Sequence, residues 1–123
     1  MEDGHRPIVA VVDDDEAVRD SLRFLLETAG FDVHTFESAC KFLAAGGQDD
    51  RLCLLLDQHM PRVTGLDLLR RLRENGRDLP VALMTGSPSP ELARRALELG
   101  AAEILEKPLT EEDLLRFVGQ MTR

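Results

Sequence analysis

Short apolar runs alternate with helical patterns along this 123-residue chain, and this alternation limits the possible folds more than any other feature. Runs that are apolar on both sides, separated by single helices, are typical of a parallel sheet covered on both faces. The second run, residues 31–36, alternates and predicts a half-buried strand at an edge of the sheet. The other runs are residues 8–12, 52–56, 81–84 and 102–105.

The segments between the runs carry helix signals. The first predicted helix covers residues 17–28 and ends at Gly30, and the short second helix ends at Gly46 and Gly47. Ser89 before Pro90 is a good start for the fourth helix, whose apolar residues include Leu97, and Thr110 caps the fifth. Right-handed crossovers then predict an α/β fold with a doubly wound sheet of five parallel strands and five helices. We expect the flavodoxin-like order 2-1-3-4-5 because it is the usual one at this size, although the spacing alone does not prove it.

Length and charge exclude several classes of protein. A chain of this length suits one domain, residues 1–123, and no apolar run approaches the roughly 20 residues of a membrane span. Fifteen basic and 23 acidic residues give a net charge of −8, which opposes direct nucleic-acid binding. Cys40 and Cys53 lie far apart without a CxxC motif, so we expect buried, reduced thiols in a cytoplasmic protein.

Polar residues that could bind a ligand or take part in a reaction follow four of the five runs. Asp13 and Asp14 follow the first, Asp57 the third, Thr85 the fourth and Lys107 the fifth. Each has an ordinary explanation when taken alone, such as a helix cap, a turn residue or a solvated lysine. In a doubly wound sheet, however, ligands bind beyond the carboxyl ends of the strands, so these residues are expected to meet.

Such a group of side chains favours phosphoryl-transfer chemistry. Three converging carboxylates repel one another, and a divalent cation such as Mg2+ (or Mn2+) relieves that conflict through oxygen ligands. A lysine and a hydroxyl in the same place can stabilise a phosphoryl group during transfer. A carboxylate nucleophile would then form an acyl phosphate.

Four motifs carry a resemblance to a known family. They are VVDDDE at residues 11–16, LDQHMP at 56–61 running on to Gly65, MTG at 84–86, and EKP at 106–108. In this order, over nearly the whole chain, they resemble the response regulator receiver domains of two-component systems, a CheY-like superfamily. Within it the chain is most similar to the FixJ type, whose members carry a DNA-binding domain after the receiver.

The resemblance implies a role for each matching residue. Asp57 would be the phosphoacceptor, Asp13 and Asp14 would bind the metal with Asp57, and the backbone carbonyl of His59 would supply a further ligand. Thr85 and Lys107 would contact phosphoryl oxygens.

The same resemblance assigns roles to the loops beside the site. The Lys107–Pro108 peptide is expected to be cis, and Gly86 should leave the phosphate pocket open. His59 and Ser87 lie at positions that tune hydrolysis of the aspartyl phosphate in the family. Only the backbone of His59 is expected to act, with its imidazole facing solvent.

Signal output departs from the family pattern at Ile104. This position on the fifth strand is often aromatic in the family and rotates when the threonine moves. The fourth helix, fifth strand and fifth helix form the expected output face, where Arg94 and Arg95 could meet Glu111 and Glu112 of a second copy in a phosphorylation-dependent homodimer. Ordinary solvation of the helices explains these charges equally well.

The resemblance also implies partners and limits. The donor would be a sensor histidine kinase, and the output would be transcriptional regulation through a separate DNA-binding domain. The abrupt end after Arg123 favours a domain excised from a longer regulator. The chain would be a signalling domain and no classical enzyme, promoting only its own phosphorylation and dephosphorylation.

Three alternatives compete with this interpretation. A phosphatase-type hydrolase also uses an aspartate nucleophile, but it usually has a carboxylate two residues later, where this chain has His59. A flavodoxin would need a phosphate loop rich in small residues. A phosphorylation-independent interaction module that retains the acidic pocket stays open as the main alternative.

Overall fold

The computed structural model describes residues 7–45 and 52–122 as an α/β fold with a central sheet of parallel strands. The strand order is β2-β1-β3-β4-β5, which confirms the predicted topology. The strands are β1 (Ile8–Val12), β2 (Asp32–Phe36), β3 (Leu52–Asp57), β4 (Val81–Thr85) and β5 (Glu103–Glu106). The helices are α1 (Glu16–Thr28), α2 (Ala39–Ala44), α3 (Gly65–Glu74), α4 (Pro90–Glu98) and α5 (Glu111–Met121).

The ends of the central strands lie slightly beyond the predicted apolar runs. Asp57 and Thr85 are the last residues of β3 and β4, and they do not lie in the loops that follow. Asp57 pairs with Met84 of the neighbouring strand, and Thr85 is the next residue along that strand. The side chains of Asp57 and Thr85 therefore lie at nearly the same level of the sheet. The sheet therefore fixes the backbone positions of Asp57 and Thr85.

Side chains alternate between two hydrophobic cores, one on each face of the sheet. In β1, Ala10 and Val12 face the core shared with α2, α3 and α4, while Val9 and Val11 face the core shared with α1 and α5. All residues of β3 are buried. Each fully buried leucine in such a core contributes about 1.5–3 kcal/mol relative to exposure, so both faces hold the sheet firmly.

Side-chain caps start the helices where the sequence indicates. Asp15 accepts from the N–H of Ala17 at 2.9 Å, and Ser89 and Thr110 cap α4 and α5, as predicted. Thr64 and Asp67 form a reciprocal capping box at the start of α3. These caps satisfy N–H groups that have no partner inside the helix.

The predicted burial of Cys40 is wrong, and one predicted helix end lies outside the described residues. Cys40 is exposed because the six-residue α2 buries only Ala39 and Phe42, whereas Cys53 is buried as predicted and burial raises the pKa of its thiol to about 12. Leu97 is 64% exposed, since α4 fully buries only Ala96. The predicted helix end at residues 46–47 falls among residues that are not described. None of the described helices is long and apolar enough to cross a membrane.

Candidate functional site

The predicted site residues meet at the carboxyl ends of the strands. Asp13 follows β1, Asp57 ends β3, Thr85 ends β4 and Lys107 follows β5. Asp13 and Thr85 are completely buried and Asp57 is 1% exposed. Buried polar side chains require partners, so the contacts of each residue define what the site can do.

Asp13 is held by contacts to its backbone and to one carboxylate oxygen. Its N–H donates to the carbonyl of Phe36 at 3.1 Å, and its Oδ1 accepts from the N–H of Asp15 at 2.9 Å. Arg19 Nη1 donates to its carbonyl at 2.8 Å. The sequence analysis assigned no role to Arg19. This residue lies one turn into α1, where its side chain reaches back to the β1–α1 loop.

Asp57 and Asp13 share one ammonium group. Lys107 Nζ lies 3.1 Å from Asp57 Oδ1 and 3.0 Å from Asp13 Oδ2, and the N–H of His59 donates to Asp57 Oδ1 at 3.3 Å. Burial and the charge of Asp13 raise the pKa of Asp57, against the opposing effect of Lys107. Burial alone would lower the pKa of Lys107, but its contacts with Asp13 and Asp57 outweigh burial and raise it.

The donor set fits a hard divalent cation. One carboxylate oxygen from each of Asp13, Asp14 and Asp57 lies within 4.8 Å of the others. Asp13 Oδ2 is buried, and the described part of the chain gives it no hydrogen bond of acceptable geometry despite the nearby ammonium of Lys107. An acidic, incompletely satisfied oxygen cluster of this kind matches the ligand preference of Mg2+.

The imidazole of His59 turns toward the site, which corrects the expectation that it faces solvent. His59 Nε2 and Thr85 Oγ1 share a hydrogen bond at 3.0 Å, although the residue as a whole remains exposed. The N–H of Ser87 donates to the same Thr85 oxygen at 3.0 Å. The sequence placed His59 and Ser87 beside the site, but it contained no signal for their convergence on Thr85.

Gly65 is a second residue to which the sequence assigned no role. It begins α3, and a Cβ built on it would lie 2.6 Å from the backbone oxygen of Asp57. Gln58 supports the same junction, because its Oε1 accepts from the N–H of Leu66 at 2.9 Å. The spacing of eight residues between Asp57 and a glycine was the available signal, since glycine permits close backbone approach.

Three further predicted residues, Gly86, Ile104 and Pro108, lie on or directly after β4 and β5. The Lys107–Pro108 peptide is cis. A Cβ on Gly86 would meet no heavy atom within 4 Å. Ile104 is half-buried on β5, where it pairs with Leu83 and packs against the core shared with α2, α3 and α4.

A cleft opens beside Lys107. It has a volume of about 470 Å³ and lies between α1 and the residues after β5. Its walls are mainly apolar, with Val18, Leu22 and Leu25 on one side and Pro108 and Leu109 on the other. An apolar surface therefore borders the polar site on the α1 side.

Arg94, one of the charges expected on the output face, has partners within its own helix, and a second ion pair on this face joins α5 to β5. Arg94 contacts Glu91 at 2.8 Å and Glu98 at 2.9 Å, both on its own helix. Arg116 of α5 contacts Glu103 of β5 at 2.7 Å. These are exposed ion pairs, each worth about 0–1 kcal/mol, so another chain could replace them at little cost.

Comparison with known proteins agrees with this geometry. Residues 9–118 match the family model described as the response regulator receiver domain. The transcriptional regulatory protein FixJ of Azorhizobium caulinodans is 46% identical over 110 residues, covering 89% of this chain and 52% of that protein. The response regulator protein TodT of Pseudomonas putida is 36% identical over 108 residues, covering 88% of this chain and 48% of that protein. The chain thus spans about half the length of these curated relatives.

Solved structures give the same result. FixJ-N superposes with a TM-score of 0.86 at 33% identity, covering 99% of this chain and 95% of that chain. The chemotaxis protein CheY4 of Vibrio cholerae superposes with a TM-score of 0.85 at 27% identity, covering 94% of this chain and 98% of that chain.

Proposed function

Because the chain belongs to the response regulator receiver family of two-component signalling, we propose that it accepts a phosphoryl group on Asp57 from a sensor histidine kinase. The observation that supports this most directly is the position of Asp57. Its carboxylate ends the central strand, is almost fully buried, and contacts Lys107 at 3.1 Å. A nucleophile held this firmly needs little reorganisation to reach the transition state.

The proposed reaction is a transfer between two side chains. An Asp57 carboxylate oxygen forms a bond to phosphorus while the phosphorus–nitrogen bond of the donor histidine breaks, and the electron pair of that bond returns to the imidazole. Lys107 stabilises negative charge on the phosphoryl oxygens, and Thr85 donates to one of them after transfer. The product is an acyl phosphate on Asp57.

We propose Mg2+ (or Mn2+) as the cofactor. Asp13, Asp14 and Asp57, together with the backbone carbonyl of His59, would hold it. When bound, the ion supplies positive charge that neutralises the phosphoryl oxygens and the carboxylates. The support for this proposal is the acidic cluster around the buried Asp13 oxygen.

We propose that phosphorylation alters the face formed by α4, β5 and α5. Movement of Thr85 would shift the loop that contains Gly86 and Ser87. Ile104 replaces the usual aromatic residue, so backbone movement of α4 would carry more of the change. The exposed ion pair of Arg116 with Glu103 on this face could exchange partners in a homodimer.

The output is proposed to be control of transcription through another part of a longer regulator. FixJ is named a transcriptional regulatory protein, and this chain covers about half of it. Direct contact with DNA is assigned elsewhere because the net charge of this chain is −8. The proposed kinase donor and transcriptional output support a cytoplasmic location, which we propose for this protein.

Incubation with acetyl phosphate and Mg2+, followed by intact mass measurement, tests the phosphoacceptor proposal. We expect one added phosphoryl group on the wild type, none on Asp57→Asn, and none when EDTA removes the metal. Asp20→Asn, an exposed aspartate on α1, is the matched control and should be modified like the wild type. Failure of the wild type to gain mass would refute the proposal and favour an interaction module that retains the acidic pocket.

A further inference from the structure

The Thr85 hydroxyl is held from two directions in a place that solvent does not reach. Its Oγ1 accepts from the N–H of Ser87 at 3.0 Å and shares a second hydrogen bond with His59 Nε2 at 3.0 Å. Thr85 is completely buried, so bulk water does not compete for this oxygen. The hydroxyl oxygen of Thr85 therefore holds Ser87, in the loop after β4, against the end of that strand.

His59 touches both the proposed acceptor and the proposed switch. Its backbone N–H donates to Asp57 Oδ1 at 3.3 Å, while its ring bonds to the Thr85 hydroxyl. The residue lies in the loop after β3, and Thr85 ends the neighbouring strand β4. His59 thus links two neighbouring strands, through its backbone N–H and its ring, at the point where the phosphoryl group would attach.

The ring of His59 and a phosphoryl oxygen would compete for Thr85. A hydroxyl has one proton to donate. If Thr85 donates to Nε2, that bond must break before Thr85 can donate to phosphate. If Nε2–H donates to Oγ1, movement of the hydroxyl leaves the ring without its acceptor. In the first arrangement the ring and the phosphate compete for the same proton, and in the second the bond to the ring opposes movement of the hydroxyl.

We propose that His59 is a positioning residue that restrains Thr85 in the unphosphorylated protein and so opposes the movement of the β4–α4 loop. The proposal rests on the proposed function, in which a phosphoryl group on Asp57 draws Thr85 inward. A single hydrogen bond of this kind changes a two-state equilibrium by about 2- to 12-fold. His59 would thus set how strongly the resting state is favoured.

The direct test is hydrogen exchange at the Ser87 amide, measured by NMR on the unphosphorylated protein. His59→Phe keeps a ring but removes the nitrogen, so the Ser87 amide should exchange about 2- to 12-fold faster. The Gln58 amide donates to the carbonyl of Met84 at 2.9 Å and serves as the internal control for the sheet. Faster exchange at Ser87 with no change at Gln58 supports the restraint, and an unchanged Ser87 rate overturns it.

A second arm measures affinity for beryllofluoride, a phosphoryl analogue, in the presence of Mg2+. His59→Phe should bind it about 2- to 12-fold more tightly than the wild type, and this gain should vanish when Thr85 is replaced by valine in both proteins. An equal gain in the Thr85→Val background would assign the effect to access and overturn the restraint. If the wild type does not bind beryllofluoride, the proposed function fails, while the exchange rate of Ser87 still decides the role of His59.

Discussion

Arg73 donates from Nε to the carbonyl of Leu99, 2.8 Å away, and this bond ties the end of α3 to the end of α4. The same guanidinium donates to the carbonyls of Arg77, Leu79 and Gly100 at 2.8–3.0 Å. One side chain therefore satisfies backbone carbonyls in the connections that lead into β4, which ends at Thr85, and into β5, which Lys107 follows.

Replacing Arg73 should weaken the fold. Arg73→Met leaves these carbonyls without their donor, and we expect the free energy of unfolding to fall by about 2–3 kcal/mol in urea titrations. Arg71→Met, an exposed arginine on the same helix, is the matched control and should change it by less than about 0.5 kcal/mol. Equal losses in both variants would mean that the carbonyl contacts contribute nothing specific.

Gly65→Ala should lower the stability of the fold and distort the proposed acceptor site. The added Cβ would lie 2.6 Å from the backbone oxygen of Asp57 and 2.9 Å from the Cα of Gln58, and backbone cannot move aside cheaply. We expect a loss of about 1–3 kcal/mol and slower modification by acetyl phosphate.

The control for Gly65→Ala is a glycine substitution that should raise the stability of the protein. Gly119 lies in α5, and a Cβ there would meet nothing within 4 Å. Gly119→Ala should therefore stabilise the protein by about 0.5–1 kcal/mol, because alanine favours helix. A neutral Gly65→Ala variant would show that α3 can withdraw from β3.

Asp57→Asn should stabilise the protein without metal at neutral pH. The pKa of Asp57 is raised above its ordinary value of 3.8, so folding favours the protonated acid and the carboxylate costs stability. That cost is fully present above the raised pKa and disappears below 3.8. We expect a gain of about 0.5–2 kcal/mol at pH 7 that shrinks as the pH falls through this window.

Urea titrations at several pH values, with EDTA present, measure the effect at Asp57. Asp20→Asn is the control, and its effect should be small at every pH. A destabilised Asp57→Asn protein at pH 7 would mean that the contact with Lys107 outweighs burial and repulsion from Asp13.

Mg2+ should raise the melting temperature of the wild type. A ligand at ten times its Kd stabilises the folded state by about 1.4 kcal/mol. Asp13→Asn should abolish most of that shift, because it removes a ligand charge from the buried cluster, whereas Asp20→Asn should retain it. The same shift in Asp13→Asn would place the bound ion elsewhere on this acidic chain.

The topology and the convergence of four site residues could be predicted because both follow from local patterns. Runs apolar on both sides require a covered parallel sheet, and such a sheet brings its carboxyl ends together. Asp13, Asp57, Thr85 and Lys107 were placed correctly by that argument alone. Their chemical roles stay predictions.

Other features depend on contacts between distant parts of the chain. Arg73 meets Leu99 across 26 residues, and His59 meets Thr85 across the same separation, so no local pattern specifies either contact. The predicted burial of Cys40 was wrong for a related reason. A helix as short as α2 has too few turns for its sequence to show which side is buried.

The burial of every residue in β3 has a consequence for how such a chain can diverge. Substitutions at residues 52–57 must preserve volume and polarity against neighbours on both faces, so a random mutational survey should find this strand among the least tolerant segments. The exposed faces of α1 and α4 carry no such constraint. Sequence change on these surfaces should therefore be tolerated far more readily than change in the strand that carries Asp57.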